Sequence, residues 1–231
     1  MIPLYHDFDG ETVLVFGGGS VGARKASRFV GEAEVVVVSP TFDDRLVDWE
    51  GARPELTDEP AESDASGIEL VRAAPAPDAV SDWVDRISPA LVVAATDDAA
   101  VNAAAEAAAL DAGVLVNRTD VSGDREARSV VVPATVDDDP VRVALSTGGT
   151  SPALSKALRE RIEAEIDGAG AMAELSGRLR QELRDRDVSP EERREAIRRV
   201  VRSERVWKGL QKGGSNGQKE AYSVIEEVLE R

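Results

Sequence analysis

The chain has 231 residues, enough for one large domain or two small ones, and its 42% hydrophobic content includes no apolar run near the ~18 residues that a membrane helix needs. Its 44 acidic against 28 basic residues leave a net charge of −16, which disfavours nucleic acid and anionic membrane as partners. The lack of cysteine excludes disulfides, thiolate catalysis and cysteine-held metal, and a single histidine argues against a histidine cage, so no resident metal site is expected.

The N-terminus reads Met-Ile-Pro-Leu-Tyr-His-Asp, with no basic n-region and no cleavage pattern, and a cytoplasmic location is expected. His6 is either structural or an acid–base group, since its ordinary pKa lies near neutrality. Val13-Leu14-Val15-Phe16 is apolar without alternation, the mark of a parallel strand buried on both faces. Gly17, Gly19 and Gly22 then give the spacing G-x-G-x-x-G, and a helix is expected over 20–30. In a dinucleotide site the first glycine permits the tight turn and the second admits the pyrophosphate to the backbone. The third lets helix and strand pack closely. The alternative is a structural strand-to-helix turn with no ligand.

Val35-Val36-Val37-Val38 is a second buried strand, ended by Ser39-Pro40-Thr41. The usual NAD fingerprint carries an acid at this strand end to hold the ribose. Here Asp43 comes too late for that, and the sequence does not decide between NAD and NADP. From Asp43 onward the chain is acidic and proline-dotted, read as a short helix, an exposed insertion over 51–67 rich in acids such as Asp58, Glu59, Glu62 and Asp64, and a short strand at Ile68-Glu69-Leu70-Val71. Such an acidic, lysine-poor chain fits a high-salt cytoplasm; an ordinary acidic protein with one solvated loop is the alternative.

Residues 90–95 form the next buried strand, Thr96-Asp97-Asp98 caps an alanine-rich helix over 99–112, and Val114-Leu115-Val116 follows as a strand. Strand, helix, strand at these intervals implies right-handed βαβ units in a parallel sheet, which bind ligands at the carboxyl ends of the strands. Gly17, Gly19, Ser20, Val21, Gly22, Ser39, Pro40, Thr41 and Thr96 fall on that rim as candidate cofactor contacts, and Asn117, Arg118 and Asp120 as candidates for substrate and chemistry. Asp120 is either a proton acceptor beside a hydride acceptor or a turn carboxylate.

Beyond it, strands are expected over 128–134 and 141–145 around an Asp137-Asp138-Asp139-Pro140 turn, whose three acids resemble a metal site but beside proline are read as solvated. Ser146-Thr147-Gly148-Gly149-Thr150-Ser151-Pro152 is a second glycine loop, with Ser151 as helix N-cap and Pro152 at N1; it reads as an anion site or a plain cap. Helices are expected over 151–167, 171–185, 189–205 and 219–230, with a flexible joint at 213–217. Trp49, Trp83 and Trp207 are read as core or interface anchors.

Together, Gly17-Gly18-Gly19-Ser20-Val21-Gly22-Ala23-Arg24-Lys25, Ala95-Thr96-Asp97-Asp98 with Asn102, Val116-Asn117-Arg118-Thr119-Asp120 and the Ser146–Pro152 loop resemble the precorrin-2 dehydrogenase/sirohydrochlorin ferrochelatase family of siroheme synthesis in its stand-alone form. The likeness runs closely over 1–165 and loosely beyond. Gly22 stands where alanine is usual, and Arg118-Thr119 where the family favours apolar residues. The resemblance implies an α/β fold: an N-terminal Rossmann-type parallel sheet (1–120), a small β dimerisation segment (121–150) and a C-terminal helical domain (151–231). It implies a homodimer and NAD-dependent oxidation of precorrin-2, in some members with insertion of Fe²⁺ as a further substrate. Asp120 falls at the catalytic carboxylate, Ser20-Val21 and Pro40-Thr41 at NAD contacts, and Thr147, Gly148 and Gly149 at the tetrapyrrole cleft. A substrate with eight carboxylates meeting a protein of −16 needs local cations, for which Arg24, Lys25, Arg118, Arg125 and Arg128 are the candidates. Two other functions stay open: a non-enzymatic NAD-sensing module, and a chelatase that no longer oxidises.

Overall fold

The computed structural model describes residues 3–49, 67–121, 128–212 and 214–230, which fall into two compact units, 1–132 and 133–231. The acidic stretch 50–66, Arg125 and Gly213 lie outside the described residues.

The first unit is a parallel sheet in the order β3-β2-β1-β4-β5. Its strands are β1 (Thr12–Phe16), β2 (Glu34–Ser39), β3 (Ile68–Arg72), β4 (Leu91–Ala94) and β5 (Leu115–Arg118). β1 lies at the centre, Val13 to Phe16 excluding solvent on both faces, with Val13 facing Val35 on one side and Leu91 on the other. Alternation along each strand then builds two cores. On one face Val13, Val15, Val35 and Val37 meet Ala23 and Ala26 of α1 (Ser20–Ala26), Phe29 and Leu46 of α2 (Asp44–Val47). On the other, Leu14, Phe16, Val36 and Val92 meet Val80 and Val84 of α3 (Val80–Ile87) and Val101, Ala105 and Ala109 of α4 (Ala99–Asp111). This is a Rossmann-type sheet with helices on both faces.

Several expectations are corrected. The helix after the glycine loop stops at Ala26 rather than residue 30, because the chain tightens into turns at Arg28 and Phe29 and buries Phe29. Helix α3 was not expected amid prolines and acids. Val80 and Val84, one turn apart and fully buried, set its inner face. The strand expected over 128–134 is instead an extended segment whose Ser129 makes one parallel bridge to Val116, while Val130 and Val132 pack on the first core.

The second unit opens with the antiparallel hairpin β6 (Ala134–Asp138) and β7 (Val141–Leu145), followed by α5 (Pro152–Glu165), α6 (Ala169–Asp185), α7 (Pro190–Arg202), α8 (Glu204–Gln211) and α9 (Ser215–Leu229). Two of the three aspartates expected in the turn lie in β6: Asp137 pairs with Arg142 across the hairpin at 2.6 Å, and Asp138 accepts from the Gly170 amide at the start of α6 at 3.0 Å. Only Asp139 and Pro140 form the turn. One helix over 189–205 proves to be two, because Ser203 turns extended (φ −82°, ψ 111°) between α7 and α8, and the Trp207 indole then donates to Val201 O at 2.8 Å. Nor does the expected joint hold over 215–217. Ser215 to Gly217 are the first turn of α9, and Gly217 backbone sits so close to Gly209 of α8 that a Cβ at Gly209 would fall 2.5 Å from the Gly217 nitrogen. Met172, Leu175, Leu179, Leu183, Val200 and Ile225 are among the residues of this unit's core.

Candidate functional site: the carboxyl rim of the parallel sheet

The glycine loop sits at the carboxyl end of β1, where the sheet order reverses direction between β1 and β4, the crevice such sheets use for ligands. Each glycine there has its own reason. Gly17 has φ +107°, and a Cβ on it would lie 2.4 Å from Ala95 O, so the β1 and β4 loops touch backbone to backbone. A Cβ on Gly22 would meet Gly17 O at 1.8 Å, and one on Gly18 would meet Thr41 O at 2.5 Å. Gly19 differs: nothing lies within 4 Å of its would-be Cβ, and Gly19, Ser20 and Val21 are exposed. Gly19 caps α1 with no side-chain bond, and no acid stands in the helix's first turn. Three tightly packed glycines and one open glycine, at a helix start with no side-chain cap, form a cradle that fits a dinucleotide pyrophosphate.

The loop after β2 is tied to this cradle, since the Asp43 amide donates to Gly18 O at 2.8 Å and Arg45 reaches Ser20 O at 3.3 Å. Asp43 caps α2 and pairs with Arg45 at 2.8 Å, which holds its carboxyl down at about 2. Ser39 is buried, Pro40 and Thr41 are exposed, and Arg72 donates to Pro40 O at 2.8 Å while lying over the Phe42 ring.

At the end of β4, Thr96 is fixed by Asn102 of α4. Asn102 Oδ1 accepts from the Thr96 amide at 3.0 Å and its hydroxyl at 2.7 Å, and Nδ2 donates to Thr96 O at 3.0 Å. Asp98 caps α4 through the Ala100 amide at 2.8 Å.

The end of β5 is bound to β4 through Thr119, whose amide donates to Ala94 O at 3.0 Å. Asn117 is 2% exposed; its Nδ2 donates to Val130 O at 2.7 Å, and its Oδ1 is buried with no partner among the described residues. Arg118 forks onto Asp120, Nε to Oδ1 at 3.0 Å and an Nη to Oδ2 at 2.7 Å, while its other Nη reaches Glu106 of α4 at 2.9 Å. The guanidinium holds the Asp120 carboxyl below its ordinary value, and the Asn102 amide, also facing it, adds to this. Burial works the other way and is outweighed.

On the sequence alone, Asn102 is named only among the residues of the resemblance, and Glu106 not at all. The signal was there: they are one turn apart, polar, in a helix otherwise almost wholly alanine, valine and leucine until Asp111. Arg128 is not on this rim. It donates to Gly113 O before β5 begins, at the opposite end of the sheet. Arg24 and Lys25 lie in the last turn of α1. His6, in the lead-in, bonds Glu11 at 2.9 Å and packs on Phe8.

In the second unit, the loop carrying Thr147, Gly148 and Gly149 closes on itself. Thr147 Oγ1 lies 3.0 Å from Ser155 Oγ, Ser146 Oγ accepts from the Gly148 amide at 3.1 Å, and Ser151 caps Leu154 at 3.3 Å. Gly148 (φ +63°) and Gly149 (φ +79°) are both left-handed, with nothing within 4 Å of either would-be Cβ.

Residues 4–134 match an NAD(P)-binding family model, and residues 138–165 match the model described as sirohaem biosynthesis protein central. The chain is similar to the precorrin-2 dehydrogenase of Methanosarcina barkeri, 32% identical over 231 residues that cover 99% of this chain and 95% of that one. It is 34% identical over 218 residues to siroheme synthase 3 of Aeromonas hydrophila, covering 93% of this chain but only 42% of that longer protein. A solved structure described as SirC, precorrin-2 dehydrogenase, matches with a TM-score of 0.67 at 22% identity, covering 98% of this chain and 100% of that one, which establishes the fold.

Proposed function

The chain belongs to the precorrin-2 dehydrogenase and siroheme synthase family, and from that premise we propose that it oxidises precorrin-2 to sirohydrochlorin with NAD in siroheme biosynthesis. What supports this reading most is Asp120, a carboxylate at the carboxyl end of β5, two strands along from the open glycine cradle in a chain similar end to end to a precorrin-2 dehydrogenase. Gly17, Gly19, Ser20, Val21, Gly22, Ser39, Pro40, Thr41 and Thr96 are the proposed cofactor contacts.

Oxidising a CH–CH bond leaves a hydride and a proton to place. The bound nicotinamide supplies the hydride acceptor. Asp120 takes the proton: its carboxylate is ionised at neutral pH, and the Arg118 fork holds it in place while lowering its basicity. Asn117, Thr147, Gly148 and Gly149 are proposed as substrate contacts in the assembled protein. Arg118, also expected there, has its guanidinium divided between Asp120 and Glu106, so a substrate carboxylate would have to displace one of them.

We propose a homodimer. The β6–β7 hairpin buries only Val136, and α5 buries no residue although it carries Leu154, Leu158 and Ile162. A two-stranded hairpin beside an uncovered helix is marginal alone and is completed by a second copy. No helix among the described residues is long and apolar enough to cross a membrane, and a cytoplasmic location with high salt is the proposed setting for a charge of −16.

Incubation with precorrin-2 and NAD, with and without Fe²⁺, followed by visible absorbance, tests the function. The expected result is an oxidised chromophore with NADH formed. A further change only with Fe²⁺ adds chelation; tetrapyrrole binding or metallation without NADH leaves a chelatase; no tetrapyrrole response leaves the NAD-sensing module.

A further inference from the structure

Three charged groups meet at the end of β5, where the sheet needs none. Strand alternation puts Arg118 on the same face as Val116, the face covered by α4, and Glu106 meets it from that helix next to buried Ala105. The three side chains are only 28% (Asp120), 22% (Glu106) and 15% (Arg118) exposed. Taking charges this far out of water is costly, and the cost is offset only when geometry fixes them. Here it does: three guanidinium nitrogens are engaged, two on Asp120 and one on Glu106.

We infer that Arg118, clamped by Glu106, is a positioning residue for Asp120, fixing both oxygens of that carboxylate at the rim. The inference rests on the proposed role of Asp120 as proton acceptor and adds the device that aims it. A lone carboxylate two residues past a strand end swings about two side-chain torsions. A planar fork bonded to both oxygens removes that freedom, and Glu106 on a second element keeps the fork itself from swinging. Among the described residues the groups facing Asp120 are Arg118 from β5 and the amide of Asn102 from α4, with Glu106 of α4 behind Arg118. Pairing with a cation favours the ionised carboxylate, so removing the cation raises the pH at which Asp120 becomes protonated and useless as a base.

The test is Arg118→Met and Arg118→Lys in the full chain, each assayed for NAD-dependent precorrin-2 oxidation across pH. The Asp120 carboxyl is followed in parallel by carbon-13 NMR, its signal assigned with Asp120→Asn. Arg118→Met is expected to lower kcat by at least roughly tenfold, the scale of a small misalignment at the reacting atoms. It should also move the acid limb of kcat/KM, and the NMR titration, to higher pH. Arg118→Lys keeps the charge without the fork, so its limb should return toward wild type while kcat stays low. A rise in KM with an unmoved limb and titration would make Arg118 a substrate-carboxylate contact and overturn the inference. So would an unmoved titration in an Arg118→Met protein that has merely lost stability. An active wild type is the control on the parent reading; if wild type binds tetrapyrrole but forms no NADH, both fall.

Discussion

Asn102 holds Thr96 by three hydrogen bonds, to its amide, hydroxyl and carbonyl, and so fixes the turn by which β4 becomes α4. That turn contributes the backbone against which Gly17 packs, and the same Asn102 amide helps hold the Asp120 carboxyl below its ordinary value. Asn102→Ala leaves the Thr96 amide and carbonyl without partners in a half-buried turn. It is expected to cost roughly 2–4 kcal/mol, read by urea unfolding, and to weaken NAD binding as well. A variant as stable as wild type would show that the turn holds itself.

Gly17 and Gly19 should fail in opposite ways. Gly17→Ala combines a left-handed φ of +107° with a Cβ 2.4 Å from Ala95 O, and a clear drop in melting temperature is expected. Gly19 has φ −72° and open space where its Cβ would go, so Gly19→Val should melt near wild type and lose NAD in a binding titration. Unchanged NAD affinity in Gly19→Val would remove the pyrophosphate from this loop.

Light scattering at micromolar protein in high salt should give twice the 24.6 kDa of the chain. Leu154, 50% exposed on α5, is the apolar side chain whose replacement by Glu should shift the protein toward monomer without lowering the stability of the Rossmann unit. A wild-type mass near one chain would reject the dimer.

Stability and turnover should both rise with KCl. At ~1 M salt the Debye length is ~3 Å, which screens both the self-repulsion of −16 and the repulsion between enzyme and polycarboxylate substrate. A melting temperature and turnover that fall steadily toward molar salt would point to an ordinary acidic protein.

The sheet was legible because its central strands are buried on both faces: runs such as Val35 to Val38 have no polar residue to confuse the period, and the glycine loop carries its own spacing. Elements set by partners elsewhere were not. Helix α3 is short and hidden among acids, its signal being two valines a turn apart. The α7–α8 break turns on the extended backbone of Ser203, which no local pattern announces. At the rim, Asp120 could be named from its place after a strand, but its environment could not. Arg118 and Glu106 are 12 positions apart in sequence, and only the stacking of α4 on β5 brings them together.

The most direct measurement is single-turnover formation of NADH from precorrin-2 by wild type and Asp120→Ala, with NAD affinity and mass of each measured alongside. General-base assistance is typically worth ~10²–10⁴-fold, so the account predicts a loss in that range with NAD binding and the dimer retained. An Asp120→Ala protein within about threefold of wild type would contradict it, since the proton must then leave by another group.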